Sequence, residues 1–408
     1  MKIAFVSPYP PSQVTLNEYG YHLIKSFVGK KDVDELFVLT NHLPDNTAYN
    51  RYQINELTII PCWKFNHPFA FLQIAKRLKK IKPDVIIMNL QFMTFGESKI
   101  AAAMGLLLPF ICKLMKLPNI VILHNITETV KLDSIGMGAS QWKEKLFLWI
   151  GEQLTKFILK SDLVGLTISQ YVDIIRTKYN ASNVILLPHG NFELPERSFL
   201  PDQPEIINLM AFGKFGTYKK VEVLLEALKL LQTKHPDQQF KVTIAGTDNP
   251  NVKGYLNSVK ETYNYLSNVE FTGYVPEENV AEIFKAATFV IFPYTTTTGS
   301  SGILHQAGSY ARACILPKID DLKRVVEEEG YGGAYFEKDD AESMAEAISY
   351  LLEHPDERKK IESMNYAAAK GLPMTELADW YLGHAKKLIK DKKCIQVTYG
   401  KKLTPSIA

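Results

Sequence analysis

The chain has 408 residues, 46% of them hydrophobic and 22% charged, with a formal net charge of +3. That length exceeds what one hydrophobic core usually serves and suggests two or three domains, and the composition excludes a disordered chain. So small a net charge leaves no global field of the kind that marks nucleic-acid binders, and no nucleic-acid partner is expected.

The N-terminal run Lys2–Ser7 is apolar but ends at once in prolines, so it reads as a strand and lacks a signal-peptide layout. Further apolar runs follow at Glu35–Thr40, Asp84–Asn89, Asn119–His124, Leu163–Ile168 and Val184–Leu187. They are rich in Val, Ile and Leu, as parallel strands buried on both faces are. Helix-periodic stretches lie between them at Tyr19–Val28, Phe69–Ile81 and Gln141–Lys160. The longest apolar stretch, Ile100–Leu117, is interrupted by Pro109 and Lys113 and reads as a buried helix, too short for a membrane span. Cysteines 62, 112, 314 and 394 are scattered without metal-ligand spacing, which fits a reduced, cytoplasmic protein.

After the proline-bearing loop Pro188–Pro204 the alternation restarts, with strands at Ile207–Phe212, Lys241–Ala245, Val269–Thr272, Phe289–Phe292 and Ala313–Leu316. Helices are predicted at Val221–Gln232, Asn279–Ala286 and Ala341–Leu352. The whole is an α/β chain with two Rossmann-like domains, residues 1–194 and 195–373. A helix over 374–390 and a polar tail over 391–408 follow. Two open parallel sheets facing one another imply a central cleft, with ligands beyond the carboxyl ends of the strands.

Two loops of the second half carry candidate chemistry. Thr295-Thr296-Thr297-Thr298-Gly299-Ser300-Ser301-Gly302-Ile303 leads from a strand into a helix. Its glycines permit close backbone approach, and free N–H groups at a helix start attract an anion such as a diphosphate. A plain polar strand-to-helix turn has the same composition. The other loop, Gly213-Lys214-Phe215-Gly216-Thr217-Tyr218-Lys219-Lys220, brings Lys214 and Lys219 to the same sheet edge. Two ammonium groups there would neutralise a leaving diphosphate; solvated lysines would look the same in sequence. In the first half, His124 ends an apolar strand, where a polar side chain would bind sugar or move a proton, or simply be structural. Pro188-His189-Gly190-Asn191 is most simply a hinge turn. The basic segment Phe69–Lys82 reads either as a solvated helix face or, aided by Trp63 and Phe65, as a contact for anionic lipid. No acidic DxD-type, HExxH or Walker-type element appears, so no metal is expected.

In this order the elements resemble family 4 of the retaining nucleotide-sugar glycosyltransferases, which have the two-domain GT-B architecture. The resemblance spans residues 1 to 390. It rests on Pro10-Pro11, His124, Ser161-Asp162-Leu163 through Ser169, Pro188-His189-Gly190, Phe212-Gly213-Lys214 with Lys219, and Phe271-Thr272-Gly273-Tyr274-Val275. It implies a nucleoside-diphosphate sugar as co-substrate with no other cofactor, Lys214 and Lys219 on phosphate, and Gly273, Tyr274 and Val275 near the base. Gly213 and the amides around Gly299–Ile303 would hold the diphosphate and sugar. The helix bearing Trp380–Ile389 would cross back onto the first domain. Cell-surface glycan or glycolipid synthesis is implied, with a glycan or lipid-linked acceptor and peripheral contact with the inner membrane face. The sequence departs from the family pattern where two glutamates are expected: Thr298 and Gln306 stand there, and Lys214 replaces an arginine. Gln306 can still bond a ribose, but Thr298 offers no carboxylate. A degenerate, non-catalytic nucleotide- or partner-binding relative is the alternative. A sugar-nucleotide epimerase fits less well, because no acidic pair is apparent.

Overall fold

A computed structural model describes residues 1–129, 141–192, 194–197, 200–296 and 301–401, with the side chains of 141, 143, 144, 147 and 393–401 left aside. The chain divides into two compact units: Met1–Val130, Ala139–His189 and Met374–Ala408 form the first, and Lys131–Gly138 with Gly190–Pro373 the second.

The first unit contains β1 (Lys2–Val6), α1 (Asn17–Lys25), β2 (Glu35–Asn41), β3 (Leu57–Trp63), α2 (Ala70–Ile81), β4 (Val85–Leu90), α3 (Lys99–Gly105), α4 (Leu108–Leu114), β5 (Asn119–Leu123), α5 (Gln141–Ile158), β6 (Leu163–Leu166), α6 (Ser169–Tyr179) and β7 (Val184–Leu186). Its seven strands are parallel in the order β3-β2-β1-β4-β5-β6-β7. The central strands are buried along their whole length, which their β-branched runs require. Because crossovers are right-handed, the rightward steps from β3 to β7 put α2 through α6 on one face and α1 on the other. The expected single helix over 100–117 is instead α3 and α4, because Pro109 lacks an N–H and its ring blocks the preceding turn; it opens α4. Trp63 is fully buried against Phe95, rings 5.3 Å apart, so it cannot assist a lipid contact.

In the second unit follow β8 (Ile206–Phe215), α7 (Glu222–Lys234), β9 (Gln239–Asp248), α8 (Tyr255–Thr262), β10 (Val269–Gly273), α9 (Glu277–Ala286), β11 (Phe289–Ile291), α10 (Gly302–Ser309), β12 (Ala313–Pro317), α11 (Asp320–Glu328), β13 (Gly333–Phe336), α12 (Ala341–Glu353) and α13 (Pro355–Gly371). The sheet order is β10-β9-β8-β11-β12-β13, again all parallel. Leu209, Ala211, Val242, Ile244, Phe289 and Ile315 from the strands pack with Leu224, Leu228 and Ile348 from α7 and α12 into one core.

The last helix, α14 (Met374–Lys401), belongs to the first unit and packs on α1. Tyr381 lies 6.4 Å from the Phe27 ring, and Lys30 pairs with Asp379 at 2.7 Å. The helix runs beyond residue 390, where a polar tail is expected, and Lys392 is held by the buried Asp162 at 2.8 Å.

Candidate functional site

Open parallel sheets offer a ligand crevice where neighbouring strands send their connections in opposite directions. In the second unit that point lies between β8 and β11: β8 leads outward to β9, while β11 leads the other way to β12. The loops leaving β8 and β11 are the two singled out in the sequence. They are laced together by backbone bonds, Lys220 N donating to Pro293 O at 3.0 Å and Thr295 N to Tyr218 O at 2.8 Å. An isolated antiparallel bridge joins Lys219 to Tyr294.

Lys219 is drawn inward by this lacing. Its Nζ donates to Phe212 O at 3.3 Å and sits 4.9 Å from the Tyr294 ring centroid and 5.8 Å from that of Tyr218. Among the described residues it has no carboxylate partner, so burial alone pulls its ammonium down to about 7. Directly beneath lies Gly213, at φ 129°; a Cβ there would be 2.5 Å from Lys219 Nζ. Only glycine tolerates both that dihedral and that approach. Gly246, at the end of β9, is equally constrained, since its Cβ would meet Gly213 O at 1.9 Å.

Helix α10 opens over the same ground. Ser301 is its N-cap residue, but its hydroxyl approaches Tyr294 Oη at 3.4 Å instead of capping. The amides of Gly302 and Ile303 in the first turn therefore face outward from the helix start with the dipole behind them. Ile303 Cδ1 reaches within 3.5 Å of the Cβ position at Gly213. Gly213, Lys219, Ser301, Gly302 and Ile303 are thus brought together. Lys214, the next β8 residue, is half-buried, as is Gln306 on α10. Gly273 ends β10 at φ 68°, opposite Ala245 and Gly246, with Tyr274 exposed and Val275 buried beyond it. Thr298, Gly299 and Ser300 lie outside the described residues.

The first unit has its own switch point between β1 and β4, and His124 stands beside it. Asn89, in β4, donates Nδ2 to Ser7 Oγ at 3.0 Å and to Leu16 O at 3.2 Å. Its Oδ1 must then accept from His124 Nε2, 2.8 Å away. This fixes the Nε2–H tautomer and leaves Nδ1 as an acceptor. Burial, with a lesser contribution from His189, holds the imidazole well below its usual range, so it is neutral. The Tyr19 ring packs edge-on against both histidines, 4.5 Å from His124 and 4.7 Å from His189. Asn89, Ser7, Tyr19 and His189 were missed as site residues; the one available signal was a polar Asn ending an apolar strand. His189, expected in a hinge turn, is buried with this cluster just before the division between the units.

Residues 207–354, the strands and helices that build the Lys219 site, match the glycosyl transferases group 1 family. The structure of Anabaena HepE with UDP covers 95% of this chain and 100% of its own at a TM-score of 0.67 and 14% identity. The chain has the GT-B fold. HepE with UDP-glucose aligns over the same share of this GT-B chain at a TM-score of 0.68 and 14% identity. The sucrose-phosphate synthase of Thermosynechococcus elongatus covers 95% and 99% of the two chains at 0.70 and 15%. An uncharacterized glycosyltransferase of Haemophilus influenzae is 18% identical over 242 residues, 56% of this GT-B chain and 66% of that protein's own length.

Proposed function

We propose that this chain is a glycosyltransferase that moves a hexosyl group from a nucleoside-diphosphate sugar to an acceptor hydroxyl, with retention and without a metal. The observation that carries the reading is Lys219: a buried ammonium with no carboxylate among the described residues, beside a helix start at the switch point of the sheet. A buried cation without a counter-ion is costly, and an anion entering beside it relieves the cost. HepE's complexes with UDP and UDP-glucose support a uridine diphosphate sugar as the first donor to try.

The chemistry follows from charge. As the glycosidic C–O bond breaks, negative charge builds on the leaving diphosphate. Lys219 and the Gly302 and Ile303 amides would meet it, with Lys214 as a second cation. Losing one such preorganised donor costs about 3 kcal/mol in barrier. The acceptor oxygen would approach on the same face and pass its proton to the departing phosphate oxygen. His124, neutral and with Nδ1 unprotonated, would accept a hydrogen bond from a sugar hydroxyl in place of acting as an imidazolium acid. Gln306 would bond the ribose, and Gly273, Tyr274 and Val275 would flank the base.

The acceptor is proposed to be a glycan or lipid-linked glycan of the cell surface, with peripheral contact at the inner membrane face. Among the described residues no helix is long and apolar enough to cross a membrane. A second reading, nucleotide binding without transfer, is favoured by Thr298 and Gln306, which supply no carboxylate. A thermal-shift screen against UDP-, GDP-, ADP- and TDP-sugars tests the first step; a ligand at 100 times its Kd adds about 2.7 kcal/mol of stability. No shift with any donor would reject both readings. A shift without release of nucleoside diphosphate, across a panel of acceptors, would leave the second.

A further inference from the structure

The first turn of α10 forms part of the proposed donor site, so the rotation of this helix about its own axis decides where the Gly302 amide and the Gln306 side chain point. Those two residues are four apart and share one side of the helix. His305 and Gly308, three apart, share another, about a third of a turn round at 100° per residue. Leu304 and Ala307 are fully buried. Apolar contacts have no direction, however, and hold a helix down without fixing its rotation. The directional contacts come from the His305 side.

Gly308 lets α10 sit directly on Tyr331: a Cβ there would be 2.5 Å from Tyr331 Cε1 and 2.8 Å from Asn365 O on α13. One turn earlier, His305 is 3% exposed, and its ring stands edge-on to that of Tyr331 with centroids 5.5 Å apart. His305 Nδ1 and Tyr331 Oη are 3.1 Å apart, as are Tyr331 Oη and Asn191 Oδ1. The far end of this chain sets the direction of donation along it. Asn191 Nδ2 faces the carbonyls of Ala369, at 2.8 Å, and Leu372, at 3.3 Å, which can only accept. Its Oδ1 therefore takes the Tyr331 proton, and the Tyr331 oxygen takes the proton of His305 Nδ1. The ring is fixed as the Nδ1–H tautomer. Nε2 lies 3.3 Å from Glu329 Oε2, where burial, with a lesser push from Glu328, favours the neutral carboxyl. No negative charge on that side draws the proton across the ring. Asn191 N also donates to Leu372 O at 2.9 Å, so the chain is anchored on the two segments by which the backbone enters and leaves this unit.

We infer that His305 is a positioning residue for the nucleotide-sugar donor: bonded through Tyr331 to Asn191, it sets the rotation of α10 and so aims the Gly302 amide at the diphosphate and Gln306 at the ribose. This rests on the donor reading proposed above and adds to it a residue buried behind the site. The test is calorimetric titration of UDP-glucose into the full chain, with urea unfolding of each variant beside it. Tyr331→Phe removes one oxygen and cuts the chain; His305→Phe keeps a ring and removes Nδ1–H. Each should weaken UDP-glucose binding by about tenfold, the equivalent of one buried hydrogen bond. The two together should cost no more than either alone, since they break one connection. His305→Asn puts an amide N–H where Nδ1 stands and should bind within about threefold of wild type. Nitrogen NMR of the wild-type ring should show Nδ1 protonated, with or without UDP-glucose. Should His305→Phe fail to fold, Tyr331→Phe and the ring tautomer decide the matter. Loss of stability in urea with unchanged UDP-glucose affinity would overturn the inference, because His305 would then hold the fold and nothing more. So would additive losses in the double variant, an asparagine variant as weak as the phenylalanine one, or an Nε2–H tautomer in wild type. A wild-type chain with the Nδ1–H tautomer that binds no UDP-glucose would reject the donor reading itself, and the role of His305 with it.

Discussion

Replacing Lys219 by Met separates the stability of the fold from the chemistry of the proposed site. The methionine keeps an unbranched stem over Gly213 and removes the charge. In the free protein the ammonium is depressed from 10.5 to about 7 because it is buried among Phe212 O, Tyr218 and Tyr294. The unfolded chain therefore holds a proton that the folded chain has lost between about pH 7 and 10.5, and stability should rise with pH across that window. Below pH 7 the charged lysine opposes folding by up to about 5 kcal/mol, the equivalent of that depression. Lys219→Met should then unfold later than wild type at pH 6 and lose the upward slope at alkaline pH.

Donor binding should move the other way. A diphosphate beside Nζ favours the protonated form, so UDP-glucose takes up a proton as it binds. Its affinity is expected to be flat below about pH 7 and to fall by about tenfold per pH unit above it. UDP-glucose is fitting because its bridging phosphates stay ionised throughout. Calorimetry in buffers of different ionisation enthalpy would count close to one proton taken up at pH 8 by wild type and none by the variant. A variant that binds UDP-glucose as tightly as wild type, with the same pH profile, would refute the phosphate role of Lys219. A wild-type affinity independent of pH between 6 and 9 would refute the depressed ammonium.

Gly213→Ala should be destabilised by about 1–3 kcal/mol in urea unfolding, because alanine is strained at this dihedral and its methyl meets Lys219 Nζ. UDP-glucose stabilisation should be lost with it. Asn89→Asp would place a carboxylate at the 2.8 Å contact with His124 Nε2. The imidazole pKa, followed by proton NMR, should rise towards neutrality, whereas an unchanged value would reject the tautomer assigned to the ring. Glu329 lies 3.3 Å from His305 Nε2, its Oε2 makes no hydrogen bond among the described residues, and burial pushes its carboxyl up to about 8. The folded state therefore keeps a proton that the unfolded chain releases above about 4.5, and stability should fall as pH rises between 4.5 and 8. Glu329→Gln should remove that fall while leaving stability at pH 5 within about 1 kcal/mol, as denaturant melts at the two pH values would read.

The central strands were legible because burial on both faces leaves a continuous Val, Ile and Leu run that no other element mimics at that length. The edges were not. β3 carries Pro61 opposite Thr40, a residue that argues against a strand interior but is tolerated where one side has no partner. β13 is four residues, opens on glycine and pairs only with β12. Of the candidate site, the two loops were legible as glycine-bearing exits from strands. The fate of Lys219 was not, since a lysine after a strand is ordinarily solvated, and what buries this one is the lacing to Pro293 and Tyr294, seventy-odd residues away in the chain.

The burial of Lys219 carries a free-energy penalty in the isolated chain, an ammonium out of water above Gly213 where a neutral side chain would cost less. Departures from local rules of this kind concentrate where a partner completes the environment. An anion would complete this one, so UDP-glucose should raise the unfolding temperature of wild type by more than that of Lys219→Met, and an equal rise in the two proteins would refute the reasoning.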